Sequence, residues 1–116
     1  MNRTEYYAQI VHEAIRVYNA MHGDHSIPTW AHASPHMKKL TMAGVKGALD
    51  GQSAKDSHKE WMKNKLKDGW THGPDKDDAK KTHPALVPYE DLSKHERIKD
   101  ELVVNIVEAL KKSLDI

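Results

Sequence analysis

Apolar residues recur at three- and four-residue steps along four stretches of the chain, and this spacing predicts four amphipathic helices. The first helix is predicted from Thr4 to Met21, with Gly23 as a residue that favours termination. The second is predicted from Pro35 to about Leu49, because Ser34 suits an N-cap and proline suits the first helical position.

Two further helices follow with similar boundary signals. The third is predicted over about Ala54 to Lys67, with Ser53 or Asp56 as its cap. The fourth is predicted to run from its cap, Ser93, to about Ser113, since Glu96 completes a capping-box pattern.

Two helices contain unusual positions. Gly44 and Gly47 lie inside the second helix, where each costs roughly 1 kcal/mol relative to alanine, so we expect close approach of a neighbouring helix. Val103, Val104 and Val107 widen the apolar stripe of the fourth helix, which predicts burial on more than one side or contact with a partner. The residues expected on the inward faces are Tyr7, Ile10, Val11, Ala14, Ile15, Tyr18, Met21, Met37, Leu40, Thr41, Gly44, Val45, Ala48, His58, Trp61, Met62, Lys65, Leu66, Ile98, Leu102, Ile106, Ala109 and Leu110.

The connection between the third and fourth helices is long and has no helical period of apolar residues from Asp68 to Pro88. It carries large aromatic residues, which argue against disorder, and long connections in compact domains are commonly functional. We therefore predict an ordered but irregular loop over residues 69–88, with a short extended piece at Val87-Pro88-Tyr89 as an option. The predicted fold class is mostly α: a small helical bundle of about four helices with a long ordered irregular loop and the option of a short strand pair. It forms one domain over residues 1–116, with no visible internal repeat.

Composition excludes several classes of function. The absence of cysteine excludes disulfides, thiolate nucleophiles and cysteine-ligated metals. Eighteen basic and 17 acidic side chains give a net charge of +1, so nucleic acid is not an expected partner. No stretch approaches the roughly 20 apolar residues of a membrane span, and the first residues lack a signal-peptide pattern. We therefore expect no membrane partner, and we expect a cytoplasmic location.

The spacing of polar residues gives little support for a metal, a cofactor or catalysis. His32 and His36 are four residues apart, but Ser34 and Pro35 between them break the helical geometry that a zinc pair needs. The chain has no nucleophile elbow, no phosphate-binding glycine signature and no carboxylate pair in an apolar setting. Lysines and aspartates alternate over residues 75–81, which is typical of a solvated, self-paired run. We expect no metal, no cofactor and no enzyme activity.

Planar side chains are concentrated where the third helix meets the long loop. His58 and Trp61 share a helix face, and a stop at Gly69 turns the following residues back toward that face. They fit two interpretations: clamps that offset the entropy of ordering the loop, or the wall of a pocket for a planar ligand. On the second interpretation the predicted ligand-binding residues are His58, Trp61, Trp70, His72, His83 and Tyr89, which suit a nucleotide-like anion.

Five short motifs follow one another in this part of the chain: His58-Lys-Glu-Trp61, Gly69-Trp70-Thr-His72-Gly73-Pro74, Lys81-Thr-His83-Pro84, Leu86-Val-Pro88-Tyr89-Glu-Asp-Leu92 and Lys99-Asp100. In this order they resemble the RyR domain, the module repeated in ryanodine receptors and found alone in bacterial and phage proteins. The resemblance is nearly continuous from about His58 to Leu110, and the first half is also similar to stand-alone members. The family usually has tyrosine at the position of His72.

The resemblance implies a mostly helical bundle with a long ordered loop, sometimes with short strands. In the receptors such modules occur as tandem pairs, and nucleotide binding has been associated with the pair. For stand-alone members the resemblance suggests ligand sensing in prokaryotic or phage conflict systems, without an established activity.

Two hypotheses for function follow, and they place the working surface differently. A small-ligand sensor would work through the segment from Trp61 to Tyr89, whereas a structural or protein-interaction module would work through a helical surface. The wide apolar stripe of the fourth helix also predicts a homodimer through helices. The alternative is that the first helix and the long loop cover this stripe within one chain.

Overall fold

Four helices make up most of the chain. A computed structural model describes residues 2–114, and within them the mostly α class and all four predicted helices are confirmed. The predicted domain span of residues 1–116 reaches one residue before and two residues beyond this part. No helix within it is long and apolar enough to cross a bilayer. The helices are α1 (Arg3–Met21), α2 (Pro35–Leu49), α3 (Ala54–Lys67) and α4 (Lys94–Leu114).

Serine side chains fix the starts of three helices. Ser34 Oγ accepts the backbone N–H three residues further on at 3.1 Å, and Ser93 Oγ does the same at 3.2 Å. Ser53 and Asp56 form a reciprocal capping box, so both residues proposed as the cap of α3 take part. Each such cap is typically worth about 1 kcal/mol.

The core lies where α1, α2 and α4 meet. Val11, Val45 and Val107, one from each helix, are its most deeply buried large side chains. Of the valines that widen the stripe of α4, Val107 is 1% exposed, and Val103 and Val104 are partly buried against this core. Much of the stripe that suggested a homodimer is therefore buried within the chain, and a homodimer through helices stays a prediction. The other members are Tyr7, Ala8, Trp30 and Ala48, flanked by Ile15, Met42, Leu49, Val103, Val104, Ile106 and Leu110.

Several positions predicted to face the core face solvent instead. Met21 is 78% exposed, Leu66 54% and Leu40 39%, and Ala109 is exposed as well. The buried face of α1 is rotated away from Met21 and includes His12 and Asn19, which are 5% and 2% exposed. An apolar pattern misses His12 because a polar side chain with a hydrogen-bond partner, here the Pro28 carbonyl, can be buried at low cost.

The predicted reason for the interior glycines of α2 is wrong. A Cβ atom at Gly47 would meet the side chain of Gln52, 3.2 Å from its Cδ, and not a neighbouring helix. At Gly44 a Cβ atom would lie 3.9 Å from Val103 Cγ1, which is an ordinary contact with α4.

The long loop contains a two-residue parallel strand pair, β1 (Thr71–His72) and β2 (Thr82–His83). Thr71 lies opposite Thr82, and His72 lies opposite His83. The option of a strand pair is thus confirmed, but an extended piece at Val87-Pro88-Tyr89 is wrong. Tyr89 begins a 3-10 turn, Tyr89–Asp91, with Pro88 as its cap.

The helix pairs α1–α2 and α3–α4 share one arrangement that the sequence did not reveal. A 3-10 turn, Trp30–His32, connects the first pair, as Tyr89–Asp91 connects the second. A buried apolar residue, Ala33 or Leu92, and then a capping serine follow each turn. The repeat is hidden because only the second connection holds the long loop.

Candidate functional site

Five of the six residues predicted to bind a ligand form one chain of ring contacts, which we call the aromatic cluster. The ring centroids of Tyr89 and His58 are 6.1 Å apart, and those of His58 and Trp61 are 5.5 Å apart. His83 follows at 4.9 Å from Trp61 and 6.4 Å from Trp70. The loop therefore brings rings from residues 70, 83 and 89 to one face of α3, as the interpretation from the sequence required. Whether a ligand binds there stays a prediction.

His72, the sixth predicted residue, stands apart from the cluster. Its side chain is exposed, and in the described chain it has no ring contact with the other five. It lies opposite His83 in the strand pair, so the two backbones are neighbours although the rings are not stacked.

The end of α3 sets the position of Trp70. Gly69 has a φ of +89°, a conformation that residues with a Cβ atom rarely adopt. The Trp70 N–H donates to the Lys65 carbonyl at 2.9 Å, and the Gly69 N–H donates to the Leu66 carbonyl at 3.1 Å, which is a Schellman ending. This reversal brings Lys65 Nζ to 4.2 Å from the Trp70 ring centroid. Such a cation–π contact is worth about 0.5–1 kcal/mol when exposed and more when desolvated.

The strand pair sets the position of His83. The Thr71 N–H donates to the Lys81 carbonyl at 2.9 Å. Gly73 allows the strands to approach, since a Cβ atom there would lie 2.6 Å from Thr82 Cβ. His83 Nδ1 accepts the Ala85 N–H at 3.0 Å, so in the neutral ring the proton is on Nε2. His83 is thus a hydrogen-bond donor between two tryptophan rings.

Positive charge surrounds His83. Burial lowers the pKa of its imidazole, and the nearby Lys65, Lys76 and Lys99 lower it further, against an opposing effect of Glu96. Burial is also the main reason why the pKa of Lys65 is lowered, with Lys76 adding to the effect. Three ammonium groups therefore act on one partly buried ring, which favours an anion at this position.

His58 attaches the loop to the bundle. Its side chain is 4% exposed, and Nε2 lies 2.8 Å from the carbonyl oxygen of Val87. A carbonyl oxygen only accepts hydrogen bonds, so Nε2 carries a proton and donates it. The other nitrogen, Nδ1, lies 3.7 Å from Asp100 Oδ2 on α4. Both ring nitrogens therefore face a polar neighbour.

The pKa values of two acidic groups, Tyr89 in the cluster and Asp100 next to it, are raised. Burial raises the pKa of Asp100 to about 6, against the lowering effect of His58. Burial also raises the pKa of Tyr89, whose hydroxyl donates to Glu101 Oε1 at 3.2 Å. Asp100 was quoted from the sequence only as part of a family motif, and its role beside His58 was missed. A carboxylate seven residues after a capping serine, on the inner side of α4, was the available signal.

The first helix pair contains the counterpart of this anchor. His12 Nε2 donates to the Pro28 carbonyl at 2.7 Å, and its ring packs edge-on against Trp30 at 5.6 Å. Seven residues after the capping Ser34, at the position equivalent to Asp100, lies Thr41. Its hydroxyl donates to a carbonyl of its own helix at 3.0 Å. In the first pair a carboxylate also holds the connection, but it is that of Glu13, beside His12, and it accepts the Trp30 N–H at 2.7 Å. The first pair thus has no carboxylate at the position equivalent to Asp100.

Metal ligation is not indicated in the part of the chain that the structure describes, because no three histidine, aspartate or glutamate side chains are grouped to hold an ion.

The fold and the cluster define a small helical module with an ordered aromatic loop. A family model described as RyR domain matches residues 33–114, more than two thirds of the chain. The chain belongs to the RyR domain family. The match includes α2, α3, the long loop and α4, hence the whole aromatic cluster, whereas α1 precedes it.

Proposed function

We propose that this chain is a non-catalytic RyR module that binds a small planar anion of the nucleotide class at the aromatic cluster. The observation that carries the proposal is the placement of His83 between Trp61 and Trp70, with Lys65 over the Trp70 ring. Both tryptophans are only partly buried, so ring surface remains for a ligand.

The chemistry of the cluster matches the two parts of such a ligand. A base that stacks on an exposed aromatic ring gains roughly 1–3 kcal/mol. The ammonium groups of Lys65 and Lys76 and the Nε2–H group of His83 supply donors for a phosphate. The positive surroundings of His83 keep that site attractive to an anion even while its imidazole is neutral.

The same geometry argues for binding without catalysis. A general base needs a free lone pair within reach of a substrate proton. In His58 one nitrogen donates to Val87 and the other faces Asp100, and in His83 Nδ1 accepts the Ala85 N–H. Neither imidazole offers a free basic nitrogen to a ligand on this face.

Calorimetric titration with adenosine monophosphate, a cyclic mononucleotide and inorganic phosphate tests the proposal. We expect binding of the nucleotides, a roughly tenfold loss of affinity in Trp70→Ala, and a loss with weaker salt dependence in Lys65→Gln. Lys112→Gln is the matched control, since this lysine lies near the far end of α4. Absence of nucleotide binding, or binding that both cluster variants leave unchanged, would contradict the proposal.

A second candidate function is protein interaction through α1, and we propose a second copy of this chain as the partner. Tyr6 and Val17 are 50% and 48% exposed, and with Met21 they follow one stripe of this helix. Glu13 lies on the same stripe, but its carboxylate bonds to Arg16 and to the Trp30 N–H. Two antiparallel copies of the stripe would therefore meet without an unpaired like charge.

Light scattering at tens of micromolar distinguishes the two candidates. A dimer through α1 should dissociate in Val17→Glu and persist in Leu66→Glu, because Leu66 is similarly exposed but lies on α3. A monomeric mass for the parent chain rejects the dimer and leaves the ligand proposal untouched.

A further inference from the structure

Besides the long loop, the contact between His58 and Asp100 separates the two otherwise similar helix pairs. Both pairs hold their connection by a histidine Nε2–H donating to a carbonyl oxygen, at 2.7 Å and 2.8 Å. In the second pair a carboxylate faces the remaining nitrogen, whereas the equivalent position in the first is Thr41. The carboxylate of the first pair, Glu13, holds the connection directly by accepting the Trp30 N–H. Asp100 accepts no such bond from the described part of the long loop and faces His58 Nδ1 instead, so its effect on the loop acts through His58.

Counting protons shows what this role is. When the pair holds one extra proton, His58 donates from Nε2 to Val87, and the protonated Nδ1 faces the Asp100 carboxylate at 3.7 Å, which is an attractive ion-pair contact. When this proton is lost, the Nδ1 lone pair faces a carboxylate, which is repulsive. The ring can restore the Asp100 contact only by moving its remaining proton to Nδ1, and the bond to Val87 is then lost.

We propose that a proton shared by His58 and Asp100 holds the long loop to the bundle, so that attachment of the loop weakens as pH rises. The charged groups facing the pair are Glu96, Lys99 and Glu101, all on α4. From the 3-10 turn the Tyr89 hydroxyl approaches Glu101. Glu96 and Glu101 raise the pKa of Asp100, and Lys99 lowers it. Because these effects oppose one another, the neighbouring charges do not remove the proton from the pair.

The consequence for binding rests on the proposed function. If the aromatic cluster binds a nucleotide-like anion, raising the pH should loosen the loop that carries Trp70 and His83 and lower the affinity severalfold. A cyclic mononucleotide is the suitable probe, because its phosphodiester does not titrate in this range.

An NMR titration of the full chain tests the shared proton without any ligand. We expect the backbone amide signals of residues 87 and 89–91 to follow one step near pH 6, and those of Thr29 and Trp30 beside His12 to stay still across this step. Asp100→Asn should hold the loop signals at their low-pH positions throughout, since an amide can donate to Nδ1 without titrating. Asp91→Asn is the control for removal of a nearby exposed carboxylate.

Loop signals that do not titrate, or that titrate equally in Asp100→Asn, would overturn the shared-proton proposal even if nucleotides bind. If the step is present and depends on Asp100 but no nucleotide binds, the proton switch stands and the proposed function fails.

Discussion

His58 Nε2 lies 2.8 Å from the carbonyl oxygen of Val87, 29 residues further along the chain, and this bond attaches the long loop to α3. The His58 side chain is almost completely buried, so loss of the donor leaves a carbonyl without its partner. The same relationship between His12 and Pro28 in the first helix pair makes it a recurring element of the fold.

Replacing the anchor should therefore be costly unless a donor is kept. We expect His58→Ala to lower the free energy of unfolding by about 2–4 kcal/mol, from the lost hydrogen bond and the cavity together. His58→Gln should lose markedly less, because its amide can reach the same carbonyl. Urea denaturation of the two variants measures the difference, and equal losses would show that the ring's volume, not its donor, matters.

The three tryptophans should differ in their contribution to stability. Trp30 is 8% exposed and belongs to the core, so Trp30→Ala should cost about 3–5 kcal/mol. Trp61 and Trp70 are only partly buried, and their replacement should cost roughly half as much. Thermal unfolding of the three tryptophan-to-alanine variants measures the order. A Trp70→Ala variant that is less stable than Trp30→Ala would contradict it.

Replacement by alanine should change the stability of the chain in opposite directions at two glycines. Gly44 lies inside α2 with room for a Cβ atom 3.9 Å from Val103, so Gly44→Ala should stabilise the chain by up to about 1 kcal/mol. Gly69 has a φ of +89°, so Gly69→Ala should destabilise it by about 1 kcal/mol. Chemical denaturation checks both signs, and a destabilised Gly44→Ala would mean that α2 and α4 pack more tightly than described.

Stability should depend on pH through Asp100 with a definite sign. Its pKa is raised from an ordinary 3.8 to about 6, so between these values the folded state binds more protons than the unfolded state. The contribution is fully present below about pH 3.8 and is lost as pH rises through about 6. It amounts to at most about 3 kcal/mol, less because a third of the side chain is exposed.

The comparison with Asp100→Asn isolates this contribution. Hydrogen bonds lower the pKa values of Glu13 and Asp24. The stability that these two carboxylates contribute is lost as pH falls, so their effect on the unfolding free energy has the opposite pH dependence to that of Asp100. The parent and the variant share them, so their difference in unfolding free energy should change between pH 4 and pH 7 in favour of the variant. A difference that does not vary with pH would contradict the raised pKa.

The helices were predictable because their signals are local. Serine caps, Pro35 and the three- and four-residue period fixed the starts of α2 and α3 to the residue. The convergence of Trp61, Trp70 and His83 also followed from the sequence, since Gly69 ends α3 and reverses the chain. What could not be predicted depends on contacts distant in sequence. The burial of His12 depends on a carbonyl 16 residues away, and the rotation of the α1 face depends on how α2 and α4 meet it.

The partnership of His58 and Asp100 was hidden for the same reason. It joins α3 to α4 across the whole loop, and no spacing rule relates the two positions. The repeat of the helix pairs was hidden because 3-10 turns and buried carbonyl bonds leave little pattern in side-chain type. What marks it in the sequence is an aromatic residue four positions before each capping serine, Trp30 or Tyr89, and an apolar residue directly before that serine, Ala33 or Leu92.

The proposal that the aromatic cluster binds a nucleotide-like anion is tested most directly by the three indole N–H signals in an NMR titration. The chain has three tryptophans, two in the cluster and one in the core, so the control is built into each spectrum. With a cyclic mononucleotide added at fixed pH and salt, we predict that the signals of Trp61 and Trp70 shift together with one saturating curve while that of Trp30 stays in place. Signals that do not move up to millimolar ligand, or a shift of Trp30 alone, would contradict binding at this site.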